Sequence, residues 1–189
     1  MTRRGFVAGA LALLAAFGLS LVTAAAQTGT EKKDLENTLY LDLENGRVVI
    51  EMRPDLAPNH VARIKELARE GFYDGIVFHR VIDGFMAQTG DPTGTGSGGS
   101  GKNLAAEFSL ENHVRGTVSM ARAQSPDSAD SQFFIVFETA PWLDGQYTAW
   151  GKVTEGMEHV DAIKKGAGSS GIVDDPDKIV KMQVAADAQ

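Results

Sequence analysis

FHRVIDGFMAQTGD, Phe78 to Asp91, sets a single arginine, Arg80, among Phe78, Val81, Ile82, Phe85 and Met86, and adds Gln88 two residues past the methionine. Removing a charge from water is costly, so a guanidinium kept in so apolar a stretch needs a use. The stretch also carries the fold signal. Two short strand-like runs, Ile76–Val81 and Phe85–Thr89, lie in and around it with a glycine turn between them.

Toward the N-terminus, TLYLDL from Thr38 alternates apolar and polar residues, Asn45-Gly46 is a hairpin turn signal, and RVVIEMR resumes the strand pattern. Pro54 and Pro58 stop it. Val61, Ile64, Leu67 and Ala68 then fall on one face of a helix predicted over Ala57–Glu70, with Pro58 in its first turn and Gly71 at its end. Toward the C-terminus, strands are predicted at Thr117–Ala121, Phe133–Phe137, Thr148–Val153 and Lys178–Ala185, and a second helix at Met157–Lys165, ended by Gly166. Many short strands with few helices point to a barrel or sandwich, and closure would leave no exposed edge.

The chain has 189 residues, the size of one domain with an appendage, and 43% of them are hydrophobic. It has no cysteine, which excludes disulfides and thiol chemistry. Residues 1–26 read as a secretory signal peptide: the basic start MTRR, an uncharged run of 18 residues from Gly5 to Val22, and the small residues Ala24-Ala25-Ala26 before Gln27. An uncleaved membrane anchor is the alternative. Thr2-Arg3-Arg4-Gly5-Phe6 fits a twin-arginine signal as well as a plain basic start, so the export route stays open between that and Sec. Either route implies a periplasmic or secreted protein. Residues 27–37 read as a flexible linker and 38–189 as the folded domain. Losing Arg3 and Arg4 with the leader moves the net charge from -7 to -9. So acidic a domain, with its lysines and arginines dispersed, is a poor partner for nucleic acid or anionic lipid.

Two motifs fail on context. Gly94-Thr-Gly96-Ser-Gly-Gly99 matches a dinucleotide fingerprint, but no strand leads into it and no helix opens from it. Gly96 to Lys102 approaches a phosphate-binding loop, but Asn103 stands where a magnesium-binding hydroxyl is required. The stretch reads instead as a glycine loop able to lie close to its neighbours. His60, His79, His113 and His159 lack metal-ligand spacing, and His79 reads as a hydrogen-bonded core residue. Ser125, Ser128 and Ser131 have no nucleophile elbow and no identifiable base.

FHRVIDGFMAQTGDPTGTGSGGSG, GTVSMARA, SQFFI and WLDGQYTAWGKVTEGM together resemble a cyclophilin-type peptidyl-prolyl isomerase, in order and spacing, from Thr38 to about Ala185. The resemblance implies a mostly β fold, a closed eight-stranded antiparallel β-barrel capped by two α-helices. It also implies catalysis of rotation about X–Pro bonds, with proline-containing polypeptides as partners and no metal or cofactor. Arg80 becomes the catalytic residue, donating a hydrogen bond to the prolyl nitrogen of a twisted amide. Phe85, Met86, Phe134 and Leu143 become the proline pocket. Gln88 and Gln132 bond the substrate or hold Arg80; Ala121 and Arg122 offer backbone groups; Trp142 lines the rim. Tyr147 stands where many eukaryotic members have histidine and Arg122 where many have asparagine; Trp142 favours cyclosporin binding and Tyr147 weakens it, so that sensitivity stays open. Phe133 must point away from Phe134 and is assigned to the core. A monomer is the default. The function expected is isomerisation during folding of exported proteins. The rival is a proline-peptide binding module or holdase chaperone whose isomerase activity is incidental, since an aromatic-lined groove serves either.

Overall fold

The computed structural model describes residues 1–2 and 34–188; residues 3–26 of the expected leader and 27–33 of the expected linker lie outside the described residues. The rest of that linker is tied down. Leu35–Asn37 form a 3₁₀ turn capped by Asp34, and Lys65 and Arg69 bond Glu36 and Asn37.

Eight strands form one antiparallel sheet: β1 (Thr38–Leu43), β2 (Gly46–Met52), β3 (Arg80–Ile82), β4 (Met86–Thr89), β5 (Thr117–Met120), β6 (Phe133–Val136), β7 (Ala149–Glu155) and β8 (Ile179–Val184). Their order is β3-β4-β6-β5-β7-β2-β1-β8. Two helices, α1 (Pro58–Arg69) and α2 (Met157–Asp161), pack against β8 and β2 respectively. The expected mostly β fold with two helices is therefore what the described residues adopt. Closure is not expressed as regular pairing: the sheet is curled, and β3 and β8 are its edges.

Period-two patterning builds the core. Leu39 and Leu41 of β1 face Ile50 and Val48 of β2, all four fully buried. Helix α1 adds Val61, Ile64, Leu67 and Ala68, the face its spacing predicts. Strand β6 is buried on both faces. Phe133 and Ile135 enter the main core, whereas Phe134 and Val136 join a smaller cluster with Met86, Ala140 and Leu143. That smaller cluster is the floor of the site described below.

Three of the departures from the predicted boundaries have a tertiary reason. The hairpin turn is Glu44-Asn45, with Gly46 already paired to Leu43. Gly46 lies at φ 147°, and a Cβ there would run into the His159 ring. Strand β3 begins four residues late, because Gly75–Phe78 bond instead to the chain entering β8: Gly75 N to Ile179 O, Phe78 N to Asp177 O and Ile179 N to Ile76 O, each 2.8 Å. Helix α2 stops at Asp161 rather than Lys165, since the Asp177 carboxylate takes the Lys164 N–H and Val81 O takes the Gly166 N–H.

Candidate active site

Cross-strand register assembles the site. Arg80 of β3 stands opposite Gln88 of β4, Gln88 opposite Phe134 of β6, and Phe134 opposite Ser119 of β5. Directly opposed residues share a face. Four residues from four strands therefore form one row, and Gln132, two positions before Phe134, falls on the same side.

The row is wired. The Arg80 Nε–H donates to Ser170 O at 3.0 Å and Nη1–H to Gln88 Oε1 at 3.2 Å. Gln88 Nε2 donates to Gln132 Oε1 at 2.9 Å, and Gln132 Nε2 donates to the carbonyls of Gly96 and Gly98. Both glutamines thus hold Arg80, the second through the first. Among the described residues no carboxylate pairs with Arg80, so none of them neutralises its charge. Three of its five N–H groups remain for a ligand.

Beside the guanidinium lies an apolar floor. Met86, Phe134 and Leu143 are buried, and Phe85, Ala121 and Tyr147 pack against them. The Tyr147 ring meets Phe134 edge to face at 5.8 Å, and Phe85 lies 5.6 Å from Trp142. Leu143 and Trp142 come from the 3₁₀ turn Pro141–Leu143, which leaves Trp142 60% exposed at the rim. The groove is open, about 870 Å³, and takes in every residue assigned from the sequence except Gln132, which lines an adjoining depression. It can seat a small apolar ring with a cationic donor alongside.

A family model described as "Cyclophilin type peptidyl-prolyl cis-trans isomerase/CLD" matches residues 38–184. A "Probable peptidyl-prolyl cis-trans isomerase" of Brucella suis is 52% identical over 197 residues, covering 97% of this chain and 99% of its own. This chain belongs to the cyclophilin-type peptidyl-prolyl cis-trans isomerases. Among solved structures, the cyclophilin AquaCyp293 from Hirschia baltica superposes with a TM-score of 0.74 at 28% identity, covering 82% of this chain and 76% of its own. A Cryptosporidium parvum cyclophilin, solved in the presence of the dipeptide Ala-Pro, gives 0.71 at 29% identity over 78% of this chain and 98% of its own.

Several groove residues of this cyclophilin were given no site role from the sequence. Gln146, Ser170, Ile172 and the Gly94–Gly96 segment line it, and Ser170 contributes a backbone carbonyl that any residue type could supply. His79 also lines it, but not as the hydrogen-bonded core residue expected: it is 7% exposed and neither ring nitrogen has a partner. Burial lowers its pKa, outweighing the nearby Asp91 charge, and Arg80 lowers it further, which keeps the ring neutral at pH 7. Ala121 cannot offer its N–H to a peptide, because that group donates to Gln132 O at 2.9 Å. The Arg122 side chain, assigned no contact from the sequence, enters the groove wall.

The glycine loop answers the nucleotide motifs. Asp91 Oδ1 accepts from Thr93 N, and Oδ2 accepts from Gly96 N at 2.6 Å and Gly98 N at 3.1 Å. The N–H groups a phosphate would need are already held by the protein's own carboxylate. The loop instead forms one wall of the groove, and its carbonyls anchor Gln132. Below the floor, His113 bridges Asp144 (Nδ1 to Oδ1, 3.0 Å) and Ser119 (Nε2 to Oγ, 3.0 Å). This is a Ser–His–Asp line, but Ser119 is fully buried and unreachable by substrate. The line supports the floor, with the His113 ring stacked on Phe134.

Proposed function

We propose that Arg80 is the catalytic residue of this isomerase and that Met86, Phe134 and Leu143 receive the proline ring. The observation that carries the assignment is an arginine with no carboxylate partner, oriented by Gln88 and Ser170, at the edge of an apolar pocket. Amide resonance sets a barrier of roughly 18–20 kcal/mol, so an unaided X–Pro bond turns over in tens to hundreds of seconds. Twisting the bond returns the lone pair to the prolyl nitrogen. A guanidinium N–H directed there bonds the twisted amide and not the planar one, which is selective stabilisation of the transition state. The low polarity of the floor strengthens that bond. Phe85 and Trp142 flank the ring site, Tyr147 closes it, and the remaining wall, with Ala121, Arg122, Gln88 and Gln132, follows an extended peptide. The dipeptide Ala-Pro in the related structure supports proline-containing polypeptides as substrates.

The same reading takes residues 1–26 as a cleaved leader and places the domain in the periplasm or outside the cell, acting on exported chains as they fold. It takes the domain as a monomer. It also takes the sheet as a closed barrel, supported by the three backbone hydrogen bonds that join Gly75–Phe78 to Asp177–Ile179.

The test is NMR exchange between cis and trans forms of a short X–Pro peptide with catalytic amounts of protein. Arg80→Ala is expected to lose at least tenfold in rate, about 1.4 kcal/mol. A smaller loss refutes the assigned role. A wild-type protein that binds the peptide and leaves exchange slow makes the groove a reader of proline instead.

A further inference from the structure

Of the arginines the structure describes, Arg47, Arg53, Arg63, Arg69 and Arg115 each pair with a carboxylate. The other two, Arg80 and Arg122, have no such partner among the described residues, and both line the groove. In a chain of net charge -7 that segregation is informative, because acids are abundant and none of the residues lining the groove is one. Arg80 is accounted for by the amide. Arg122 is not.

Arg122 is held in place. Its Nε–H and Nη2–H donate to Gln146 O at 3.2 and 3.1 Å, and Nη1 donates to Ala123 O and Gln124 O. Its guanidinium lies 4.6 Å from the Tyr147 ring centre and 6.0 Å from that of Phe108. Neutral carbonyls satisfy four of its five N–H groups but cancel none of its charge. Because Tyr147 packs on Phe134, that fixed charge stands one aromatic ring away from the proline pocket. The adjoining depression, which Arg122 also lines, holds one acid, Asp130; it accepts from Ser100 Oγ and from the Gly101 N–H at 2.8 Å and forms no ion pair with Arg122.

We propose that Arg122 makes this groove select X–Pro segments that carry an aspartate or glutamate within two residues of the proline. The proposal rests on the isomerase reading of the site and names its preferred substrate class. The overall negative charge opposes such substrates at long range, but at 0.15 M salt it is screened beyond about 8 Å, whereas a charge in the groove wall acts within that distance. The cation is partly exposed, so the discrimination is modest: about three- to fivefold in kcat/KM for glutamate over glutamine, the upper range for an exposed ion pair.

The experiment measures cis–trans exchange of matched peptides bearing Glu, Gln or Lys at each of the two positions before and after proline, in low and high salt. In wild type, rates are expected in the order Glu, Gln, Lys at one or more positions, with the spread shrinking in high salt. Arg122→Gln is expected to bring the Glu-to-Gln ratio to about one, and Arg122→Lys to restore part of it. Using the ratio removes any common loss from impaired folding. A wild-type ratio near one at all four positions, or a ratio unchanged in Arg122→Gln, overturns the proposal. Failure to accelerate even the Gln peptides overturns the isomerase reading itself.

Discussion

Asp91 is 1% exposed and lies under the glycine loop that walls the groove. Burial favours its neutral form, yet hydrogen bonds from the Thr93 hydroxyl and from the N–H groups of Thr93, Gly98 and Gly96 outweigh that and lower its pKa to about 2 from 3.8. A carboxyl with a depressed folded-state pKa contributes stability that is fully present above its unfolded pKa and lost as pH falls through its folded pKa. The window is therefore pH 4 down to about 2, and the shift corresponds to about 2 kcal/mol. Asp91→Asn removes the titration and turns an NH₂ toward donors, so it should be less stable by a comparable amount at neutral pH. Urea unfolding, followed by the fluorescence of the buried Trp150, gives both stabilities between pH 6 and pH 2. The gap between wild type and variant should hold at about 2 kcal/mol above pH 5 and close toward pH 2. Other acids titrate equally in both proteins and drop out of the difference. A gap that stays constant down to pH 2 refutes the nest of N–H groups as the holder of an anionic Asp91. Gly94 and Gly96 line the groove, so the variant should also isomerise X–Pro peptides more slowly.

Gln88→Ala removes the only described side chain that bonds Arg80 and leaves Ser170 O as the remaining anchor among the described residues. Steady-state kinetics should show kcat down about three- to tenfold with KM little changed, as expected when an orienting hydrogen bond to a charged group is lost; an unchanged kcat means Ser170 suffices. Phe133→Ala and Phe134→Ala, adjacent in sequence, should separate stability from activity. The first opens the main core and costs about 3–5 kcal/mol in urea unfolding. The second, facing the groove, costs less stability and more of the exchange rate. Similar effects of both substitutions on both measurements refute the two-faced reading of β6.

The residues that could be read without the structure share one property: their meaning lies in local order. Period-two alternation fixed which residues of β1 and β2 face inward, and it separated Phe133 from Phe134. The 3.6-residue period gave the buried face of α1, with Pro58 and Gly71 marking its ends. The resemblance to the cyclophilin motifs, not any periodicity, brought Arg80, Met86, Gln88, Phe134 and Leu143 together as a set. What the sequence left open depends on where backbone groups from distant segments meet. Ser170 O under Arg80 and the Gly96 and Gly98 carbonyls under Gln132 are backbone acceptors, and Gly75–Phe78 pairs with the chain before β8 through backbone groups alone, groups that carry no residue-specific signal. Position alone selects them, and position is a product of the folded sheet. The same holds for Arg122. Its identity was visible from the start, but its lack of a carboxylate, its seat over Tyr147 and its place in the groove wall exist only once β5, β6 and the Trp142–Tyr147 turn are packed together.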